Sequence, residues 1–467
     1  MTNKFDIAIL GGGPGGYVAA IRAAQLGYKT ALIEKENLGG VCLNWGCIPT
    51  KSLLKNAEVY DMMKNHSADF GIKVEGLSFD FAKIIRRSRN VSTKITKGVE
   101  YLVKKNKIEH IRGFGKLISK NEIQVLNEKG NEISIISADK IIIATGARTK
   151  EIPSIPIDRE IIITSTEAMT LKEPPKDLIV IGGGAIGIEF AYFYSIFGTK
   201  VTIVEMMDSI LPVEDKEVSS ALESSFKKRG IVIHTSTSVE KAKVTNNGVE
   251  VGIIKNGEKS VLTAEKVLCA IGVSGNVEGI GLEELKIITE KNYIKVDKNT
   301  YETNVGGIYA IGDVIGAPWL AHVASAEGIH CVESIHGKNS APIDYSSIPG
   351  CTYCQPQVAS IGLTEEKAKE KGYELKIGKF PFAASGKSAA IGERDGFVKL
   401  IFDSKYGELL GAHIIGSEAT ELIAELGIVK ALEGTHESII KTIHAHPTLS
   451  ESIMEAAANA YGEAIHI

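Results

Sequence analysis

The sequence predicts an α/β protein of several domains, and three observations lead to this prediction. The chain has 467 residues, more than a single hydrophobic core usually spans. A unit of strand, glycine turn, helix and strand occurs twice, at an offset of 171 residues. From Pro349 onward the glycine signature is absent and alternating strand and helix patterns follow. We therefore expect two parallel-sheet domains and a C-terminal α+β domain.

Hydrophobic periodicity and glycine or proline punctuation predict the elements in order. The predicted strands are Phe5–Leu10, Thr30–Glu34, Lys140–Gly146, the run from Asp177 to the glycine turn at Gly182, Val201–Glu205, Val267–Gly272, Ile308–Asp313, Phe397–Phe402 and Leu409–Ile415. Beyond the helices that follow the two glycine turns, the predicted helices are Lys51–Lys64, Phe79–Lys105, Leu320–Ile335 and Ser417–Glu433. The segment Pro342–Pro349 has the texture of a linker.

Composition and charge exclude several classes of protein. Hydrophobic residues make up 44% and charged residues 24% of the chain, with a net charge of −4. This balance favours neither nucleic acid nor an anionic membrane surface as a partner. No apolar run reaches the length of about 18 residues typical of a membrane-spanning helix. The N-terminus, Met-Thr-Asn-Lys followed directly by an apolar strand, has no signal-peptide pattern, so we expect a cytoplasmic protein without nucleic-acid or membrane partners.

The two glycine turns carry the pattern of dinucleotide-binding sites. In Gly-x-Gly-x-x-Gly the first glycine permits a tight turn, the second lets the backbone approach a pyrophosphate, and the third lets the helix pack on the sheet. The free N–H groups at the helix start then bind the phosphates. The alternative, glycine turns without a ligand, is disfavoured because each copy also ends its second strand at an acid. The residues are Gly11, Gly13, Gly16 and Glu34 in the first copy, and Gly182, Gly184, Gly187 and Glu205 in the second.

The second copy favours NAD over NADP. Glu205 can accept hydrogen bonds from a ribose diol, and Met206-Met207-Asp208 follows it without an arginine that could receive a 2′-phosphate.

A pair of cysteines lies just after the first copy, in Gly39-Gly-Val-Cys42-Leu-Asn-Trp-Gly-Cys47-Ile-Pro-Thr-Lys51. On an ideal helix two residues five apart are separated by about 7.5 Å along the axis. A disulfide needs Cα atoms within about 6.8 Å, so a regular helix cannot hold one here. Gly46 and Pro49 supply a disruption. A strained disulfide at a helix start is easily reduced, and the alternative is a pair of buried thiols.

These motifs together resemble those of the flavoprotein disulfide reductases, also called pyridine nucleotide-disulfide oxidoreductases, and within them the members that oxidise dihydrolipoamide. The resemblance runs essentially end to end. Besides the cysteine segment it includes Gly-Gly-Gly-x-Ile-Gly-x-Glu, Ala-Thr-Gly, Tyr-Ala-Ile-Gly-Asp and His446-Pro-Thr-Leu-Ser-Glu451.

The resemblance implies two cofactors, FAD and NAD. FAD would lie on the first glycine turn and Glu34, with contacts from Lys51, Gly115, Thr145, Gly146, Asp313 and Ala321. NAD would lie on the second glycine turn, with contacts from Glu189, Glu205, Val239 and Gly272. An ion pair between Lys51 and Glu189 is expected near the flavin.

The resemblance also implies the catalytic residues. Cys42 exchanges with the substrate, and Cys47 lies against the flavin. His446 is the acid–base residue, oriented by Glu451, and comes from the other subunit of a homodimer. From its position alone a capping or core histidine is the favoured interpretation of His446, because nothing local demands catalysis, although an imidazole has the right pKa range for a thiol substrate. His444 is interpreted as structural.

The implied reaction is oxidation of protein-bound dihydrolipoamide, with electrons passing through the Cys42–Cys47 pair and FAD to NAD⁺. The partner would be a lipoyl domain or lipoyl carrier protein of a 2-oxo acid dehydrogenase or glycine cleavage complex. The implied division is FAD-binding (1–147), NAD-binding (148–272), FAD-binding or central (273–347) and dimerisation (348–467), so the fold class is two Rossmann-like domains plus a C-terminal α+β dimerisation domain.

Other members of the family, and one other class of protein, fit less well. Glutathione reductase would place basic residues after the second strand of the second copy. Mercuric reductase would carry a C-terminal cysteine pair, and an NADH oxidase would lack the His-Pro-Thr segment. A flavin-bearing structural subunit would not need Cys42, Cys47, His446 and Glu451 together. Cys351 and Cys354 could form half of a zinc site, but no second pair follows; we expect no metal and place both in a strand.

Overall fold

The computed structural model describes residues 3–338 and 341–467. Met1-Thr2, part of the segment judged to lack a signal peptide, and Asn339-Ser340, within the predicted 273–347 segment, lie outside the described residues. The α-helices are α1 (Pro14–Gln25), α2 (Gly40–Trp45), α3 (Cys47–Asp61), α4 (Phe81–Lys105), α5 (Ser165–Ala168), α6 (Ala185–Ile196), α7 (Lys216–Lys228), α8 (Ala321–Ile335), α9 (Glu365–Glu370), α10 (Gly386–Ile391), α11 (Ala419–Ala431), α12 (His436–Ile440) and α13 (Glu451–Asn459).

The strands alternate with these helices in the first two thirds of the chain, and the last five strands form one sheet in the C-terminal part. They are β1 (Asn3–Leu10), β2 (Thr30–Glu34), β3 (Glu109–Arg112), β4 (Phe114–Ser119), β5 (Glu122–Leu126), β6 (Glu132–Ile143), β7 (Ala147–Thr149), β8 (Ile162–Ile163), β9 (Asp177–Ile181), β10 (Lys200–Val204), β11 (Val232–His234), β12 (Thr237–Thr245), β13 (Gly248–Lys255), β14 (Glu258–Ala264), β15 (Lys266–Cys269), β16 (Val273–Gly275), β17 (Thr289–Glu290), β18 (Tyr293–Ile294), β19 (Ile308–Ala310), β20 (Gly350–Thr352), β21 (Gln357–Gly362), β22 (Leu375–Pro381), β23 (Phe397–Asp403) and β24 (Leu409–Gly416).

The first compact unit comprises Met1–Ser52, Ile85–Lys150 and Gly272–Ile343. Its main sheet has the order β3-β2-β1-β6-β5-β4, with β19 also paired to β6. The strands β3, β2, β1, β6 and β19 run parallel, and β4 and β5 add an antiparallel edge. Helices α1 and α8 pack against each other beside this sheet. The arrangement is that of an open, Rossmann-like α/β domain.

The second compact unit comprises Leu53–Ile84, Glu151–Ile271 and Asp344–Ile467. It contains a parallel sheet of order β11-β10-β9-β15-β8, an antiparallel sheet of order β12-β13-β14, and a five-stranded antiparallel sheet of order β20-β21-β24-β23-β22. Helix α13 packs on β22 and β23, and α11 packs on β21 and β24. The fold class predicted from the sequence is confirmed by the alternation of strands and helices and the C-terminal α+β region.

The internal repeat is reproduced in three dimensions. Helices α1 and α6 begin and end at equivalent residues of the two copies, 171 positions apart. Each follows a buried strand through a glycine at positive φ, +108° at Gly11 and +105° at Gly182. A Cβ at Gly11 would lie 2.2 Å from the Ala144 carbonyl oxygen, so no other residue fits this turn.

Most predicted elements are present with shifted ends. Helix α4 begins at Phe81 instead of Phe79 because the Asp80 side chain accepts a hydrogen bond from the Lys83 N–H at 2.9 Å and so ends the preceding loop. Cys351 lies in strand β20, as expected, but Cys354 does not lie in a strand: the chain bends there, and its Sγ donates to the Pro356 carbonyl at 3.2 Å. The prediction for Cys354 was therefore wrong.

Among the described residues, no helix has the length and apolar character needed to cross a membrane.

Candidate functional site

The two glycine turns form cradles that a pyrophosphate fits. A Cβ at Gly184 would meet no atom within 4 Å, and one at Gly13 would meet only the Gly40 Cα, at 4.0 Å. Helices α1 and α6 start directly behind these glycines, and neither start is capped by a side chain. The first-turn N–H groups and the positive end of each helix dipole are thus available to an anionic ligand. These residues fit the phosphates of FAD in the first copy and of NAD in the second.

The acids at the ends of the second strands are held in the same way in both copies. Glu34 accepts hydrogen bonds from the Gly12 and Glu36 N–H groups, each at 2.7 Å. Glu205 accepts them from Gly183 and Met207, at 2.6 and 2.7 Å. These backbone bonds hold each carboxylate beside its glycine turn, the position that a ribose diol would need.

Thr145 and Gly146 form a turn that is held by hydrogen bonds to Asn276. Asn276 donates its side-chain amide to the Thr145 carbonyl at 2.9 Å, and its own carbonyl accepts the Thr145 hydroxyl at 2.9 Å. The Asn276 N–H donates to the Gly146 carbonyl at 2.9 Å. Sequence reasoning missed Asn276 because an isolated asparagine after a strand carries no signal of its own.

Asp313 lies in a single 3₁₀ turn, Gly312–Ile315, that follows β19. Burial and then the negative charge of Glu327 raise the pKa of Asp313 to about 6. Glu327, on α8, is 2% exposed and accepts a hydrogen bond from the Gly312 N–H at 2.7 Å. Sequence reasoning also missed this buried acid, whose signal was a glutamate on the otherwise apolar face of the predicted helix.

Two further residues of the predicted FAD set lie in the same unit. Ala321 is the first residue of α8, whose start has no side-chain cap. Gly115 lies in β4, where a Cβ would come within 2.4 Å of the Leu10 side chain. Gly115 therefore lets β4 pack closely on the end of β1.

Of the remaining residues predicted to contact NAD, Glu189 and Val239 belong to the second unit and Gly272 to the first, so their common site stays a prediction. Glu189 is buried on α6, and its Oε1 accepts a hydrogen bond from the Tyr353 N–H at 3.0 Å. Val239 is half-buried in β12. Gly272 follows β15 at a φ of +101°.

The helix that carries the cysteine pair is broken between them, as the spacing predicted. Helix α2 ends at Trp45, Gly46 has φ −148° and ψ −114°, and α3 starts at Cys47. The Cys42 side chain is hydrogen-bonded to that of Cys47, so the two sulfurs are in contact. The segment packs on the first glycine turn, where a Cβ at Gly40 would lie 2.7 Å from the Gly13 Cα. The cysteine pair therefore lies beside the predicted FAD phosphate site.

The contact between the two sulfurs makes the Cys42 thiol less acidic. The hydrogen bond to Cys47, then burial and the charge of Cys47, raise the pKa of the Cys42 thiol. The positive charge of Lys51 and a hydrogen bond from the Cys47 backbone N–H act in the opposite direction.

His446 and Glu451 form the pair that the sequence predicts. The His446 Nδ1 lies 2.9 Å from Glu451 Oε1, and the Thr448 N–H donates to Glu451 Oε2 at 2.8 Å. Burial would raise the pKa of Glu451, but these two hydrogen bonds outweigh it and the pKa is lowered. The His446 side chain is 79% exposed, so its other ring nitrogen can reach a ligand.

The neighbouring His444 is placed differently. Its side chain is 5% exposed, and it is held between Glu425 at 2.7 Å and the Thr442 carbonyl at 2.9 Å. These contacts support the structural interpretation of His444.

An apolar groove of about 550 Å³ lies next to His446 in the C-terminal region. It is lined by Ala445 and Thr448 and by three highly exposed apolar side chains, Ile428 (63%), Leu432 (75%) and Ile443 (97%). An exposed apolar patch of this kind is typical of an interface with another protein.

Lys51 and Glu189 lie in different compact units, as do the cysteine pair and His446. Their predicted proximity stays a prediction.

The comparisons with known proteins concern the same regions. The pyridine nucleotide-disulphide oxidoreductase family matches residues 5–328, and the dimerisation domain of that family matches residues 348–457. The chain belongs to the pyridine nucleotide-disulphide oxidoreductases. It is therefore an enzyme, a flavoprotein oxidoreductase that uses FAD and NAD, and its C-terminal match to a dimerisation domain supports a homodimer.

Two relatives and two solved structures illustrate the similarity. The chain is 50% identical to a dihydrolipoyl dehydrogenase of Zymomonas mobilis and 46% identical to one of Bacillus subtilis, with 100% of each chain covered. It is similar in structure to LpdA of Mycobacterium tuberculosis, with a TM-score of 0.90, 28% identity and coverage of 98% and 99%. It is also similar to RclA of Escherichia coli, a HOCl-induced flavoprotein disulfide reductase, with a TM-score of 0.85, 27% identity and coverage of 97% and 99%.

Proposed function

We propose that this enzyme oxidises protein-bound dihydrolipoamide to lipoamide and reduces NAD⁺ to NADH. The observation that carries the proposal is the Cys42–Cys47 pair, in contact across a break in the helix and packed against the first glycine turn. Such a pair can exchange with a dithiol and pass the electrons to a cofactor on that turn. The two dihydrolipoyl dehydrogenases that share 46–50% of their residues with the chain support the same substrate.

The reaction starts with the pair as a disulfide. His446, oriented by Glu451, takes a proton from one substrate thiol, and the resulting thiolate attacks Cys42 Sγ. A bond forms between the substrate and Cys42, the Cys42–Cys47 bond breaks, and its electron pair stays on Cys47. The second substrate thiol then attacks the substrate sulfur that is bonded to Cys42, which forms lipoamide and breaks the bond to Cys42. Its proton goes to Cys42, which leaves as a thiol, and the first proton passes from His446 to the Cys47 thiolate. The enzyme has gained two electrons as the Cys42–Cys47 dithiol.

The first glycine turn and the uncapped start of α1 would hold FAD, which would supply the electron path from the Cys42–Cys47 dithiol to NAD⁺. Lys51 assists because its charge favours the thiolate form of Cys42. The Glu205 carboxylate, held by two backbone N–H groups, orients NAD⁺ by its ribose.

We further propose that His446 of one subunit serves the cysteine pair of its partner in a homodimer, that the substrate arm belongs to a lipoyl domain or carrier protein, and that the enzyme acts in the cytoplasm. The exposed apolar groove beside His446 supports an interface at that place. The division into FAD-binding, NAD-binding, central and dimerisation segments stays part of this proposal.

The direct test is replacement of the cysteine pair. Cys47→Ser should abolish dihydrolipoamide oxidation and leave FAD bound, because the phosphate cradle does not involve the thiol. Cys331→Ala, which removes a fully buried thiol on α8, is the control and should retain turnover. Near wild-type turnover by Cys47→Ser would remove the pair from the mechanism, and an FAD-loaded wild-type protein without turnover would indicate a structural flavoprotein.

A further inference from the structure

A row of buried polar side chains on α4 faces the broken helix. Ser88, Ser92 and Thr96 are 0%, 1% and 7% exposed and stand at successive i, i+4 positions, on one face of the helix. A face that packs against another helix is usually apolar, and buried hydroxyl groups destabilise a protein unless they are hydrogen-bonded. These hydroxyl groups therefore need hydrogen-bond partners, and their partners lie in the segment that carries the cysteine pair.

The partners are the backbone carbonyls around the break. The Ser92 hydroxyl donates to the Leu43 carbonyl. The Ser88 hydroxyl donates to the Pro49 carbonyl at 2.9 Å. Helix α4 thus holds the chain on both sides of Gly46.

Arg89 and Thr96 hold the same segment through residues 44 and 45. The Arg89 Nη1 donates to the Asn44 carbonyl at 2.6 Å, and its guanidinium lies 4.2 Å from the centre of the Trp45 ring. Thr96 donates to the Asn44 side-chain oxygen at 3.0 Å. The Asn44 amide in turn donates to the Gly40 carbonyl at 2.9 Å.

The bond from Ser92 has a consequence for the cysteines. In an unbroken helix the Leu43 carbonyl would accept the Cys47 N–H, four residues on. Here the Leu43 carbonyl accepts the Ser92 hydroxyl, and the Cys47 N–H is hydrogen-bonded to the Cys42 sulfur. The Ser92 hydroxyl thereby replaces the Cys47 N–H as the donor to the Leu43 carbonyl. The Cys47 N–H is then available to bond the Cys42 sulfur.

We propose that Ser88, Arg89, Ser92 and Thr96 are positioning residues that set the thiol–disulfide equilibrium of Cys42 and Cys47 by holding the helix open between them. The inference rests on the proposed function, in which this pair is the redox couple. Without the α4 contacts, the Leu43 carbonyl can accept the Cys47 N–H, which favours a closed turn against the disruption by Gly46 and Pro49. A closed turn moves the cysteines toward the ideal-helix separation of about 7.5 Å along the axis, which a dithiol tolerates and a disulfide does not.

The direction of the effect follows. The exchange converts the Cys42–Cys47 disulfide and dihydrolipoamide into the dithiol and lipoamide, with two electrons and two protons transferred to the enzyme. Loss of an α4 contact disfavours the disulfide and shifts this equilibrium toward the dithiol. One hydrogen bond of about 0.5–1.5 kcal/mol corresponds to a shift of about 2- to 12-fold, and a tenfold shift to about 30 mV in midpoint potential.

The test uses the FAD-loaded enzyme equilibrated with defined ratios of lipoamide and dihydrolipoamide. Alkylation and mass spectrometry then give the fraction of Cys42–Cys47 disulfide. Ser92→Ala and Thr96→Val should shift the equilibrium toward the dithiol. Thr96→Ser, which keeps the hydroxyl, should restore it. Thr93→Ala is the matched control, because the Thr93 hydroxyl is exposed and bonds only to its own helix, at the Arg89 carbonyl.

Several outcomes would overturn the inference. One is an unchanged equilibrium in Ser92→Ala and Thr96→Val, even with reduced thermal stability, because the contacts would then be merely structural. Another is an equal shift in Thr93→Ala. If Ser92→Ala does not fold, Thr96→Val and Arg89→Lys carry the test, since Lys keeps the charge and loses the planar stack on Trp45. A wild-type enzyme whose cysteines do not respond to the lipoamide ratio would instead refute the proposed function.

Discussion

At the scale of the residue, Glu34 and Glu205 show how one side chain acquires a position from the backbone around it. Each carboxylate accepts one N–H group from the glycine turn and one from the residue two positions further on. The pattern is local, which is why the sequence alone predicted both acids. The residues that follow Glu205 carry no positive charge: Met206 and Met207 are 71% and 47% exposed.

The absence of a positive charge next to Glu205 predicts a preference for NADH over NADPH. The Glu205 carboxylate can bond a ribose diol and repels a 2′-phosphate. The paired change Glu205→Ala and Met206→Arg should lower the ratio of kcat/KM for NADH to that for NADPH by about 10- to 100-fold, the value of one or two hydrogen bonds to charged groups. Steady-state kinetics in the reverse direction measure the ratio, and equal wild-type values for the two cofactors would contradict the prediction. Glu205→Gln removes the negative charge but keeps the size of the side chain, so it shows how much of the preference is due to the charge.

His446 and Glu451 make a second prediction at this scale. Removal of the base in His446→Ala should lower kcat by about 10²- to 10⁴-fold. Glu451→Gln leaves the imidazole but weakens its orientation, and a loss of about 10- to 100-fold is expected. Dihydrolipoamide oxidation measures both.

The chain offers a matched control for this prediction on the same helix. Glu455, one turn after Glu451, holds His466 at 2.6 Å. His466→Gln should keep kcat within about twofold, as expected for a surface change. An equal loss in His466→Gln would mean that any histidine paired with a glutamate of α13 matters, and His446 would lose its assigned role.

At the scale of the element, the sequence predicted what is repeated and locally encoded. The two glycine turns, their helices and the break at Gly46 follow from residues within about 30 positions of one another. The antiparallel sheet β12-β13-β14 and the edge strands β4 and β5 were not predicted, because half-exposed strands alternate weakly and their pairing is decided by tertiary contacts.

The site followed the same division. Cys42, Cys47 and the acids on the glycine turns are marked by spacing. Asn276, Glu327 and the hydroxyl row of α4 act across 15 to 131 positions of sequence and leave no motif, because their role is to bind backbone groups of another element.

Helices α7 and α9 and strand β23 meet at one buried lysine. Lys399 on β23 is 1% exposed, and its Nζ lies 3.0 Å from Asp215, 2.7 Å from Glu217 and 2.7 Å from Glu365. Burial would lower the pKa of Lys399, but these hydrogen bonds outweigh it and raise the pKa. The pKa values of Glu217 and Glu365 are lowered, in each case by hydrogen bonds from lysines that include Lys399.

Lys399→Met should lower the free energy of unfolding at pH 7 by about 3–5 kcal/mol, because Asp215 then stays buried without its cationic partner and keeps the hydrogen bonds from the Glu217 and Glu365 N–H groups. Glu217 and Glu365 have depressed pKa values in the folded state, so their contribution is present above about pH 4.3 and is lost as the pH falls through the folded values. The lysine contribution is complete below about pH 10.4 and is lost only at higher pH. The difference in the free energy of unfolding between wild type and Lys399→Met should therefore become smaller as the pH is lowered.

Urea unfolding at neutral and acidic pH measures this difference. Lys216→Met is the control: Lys216 pairs with Glu366 at 3.0 Å, but both side chains are more than half exposed. It should leave the unfolding midpoint almost unchanged. A Lys399→Met variant as stable as wild type at pH 7 would show that the cluster does not hold these elements together.

At the scale of the whole molecule, the predicted site needs residues from both ends of the chain. The cysteine pair lies in the first compact unit and His446 in the second, beside a groove with the exposed side chains of Ile428, Leu432 and Ile443. The C-terminal region also matches the dimerisation domain of the family. A two-fold symmetric dimer would build two equivalent sites, each with the cysteines of one chain and the histidine of the other.

Complementation between two inactive chains tests this arrangement. A Cys47→Ser chain and a His446→Ala chain, co-expressed with different tags and isolated as the heterodimer, place both lesions in one site and leave the other intact. Because each homodimer has lesions in both of its sites, both should be nearly inactive. The heterodimer should recover about half of the wild-type activity if the two sites act independently. Catalysis contained within one chain would leave every site damaged, and a purified heterodimer as inactive as the two homodimers would therefore reject the shared site.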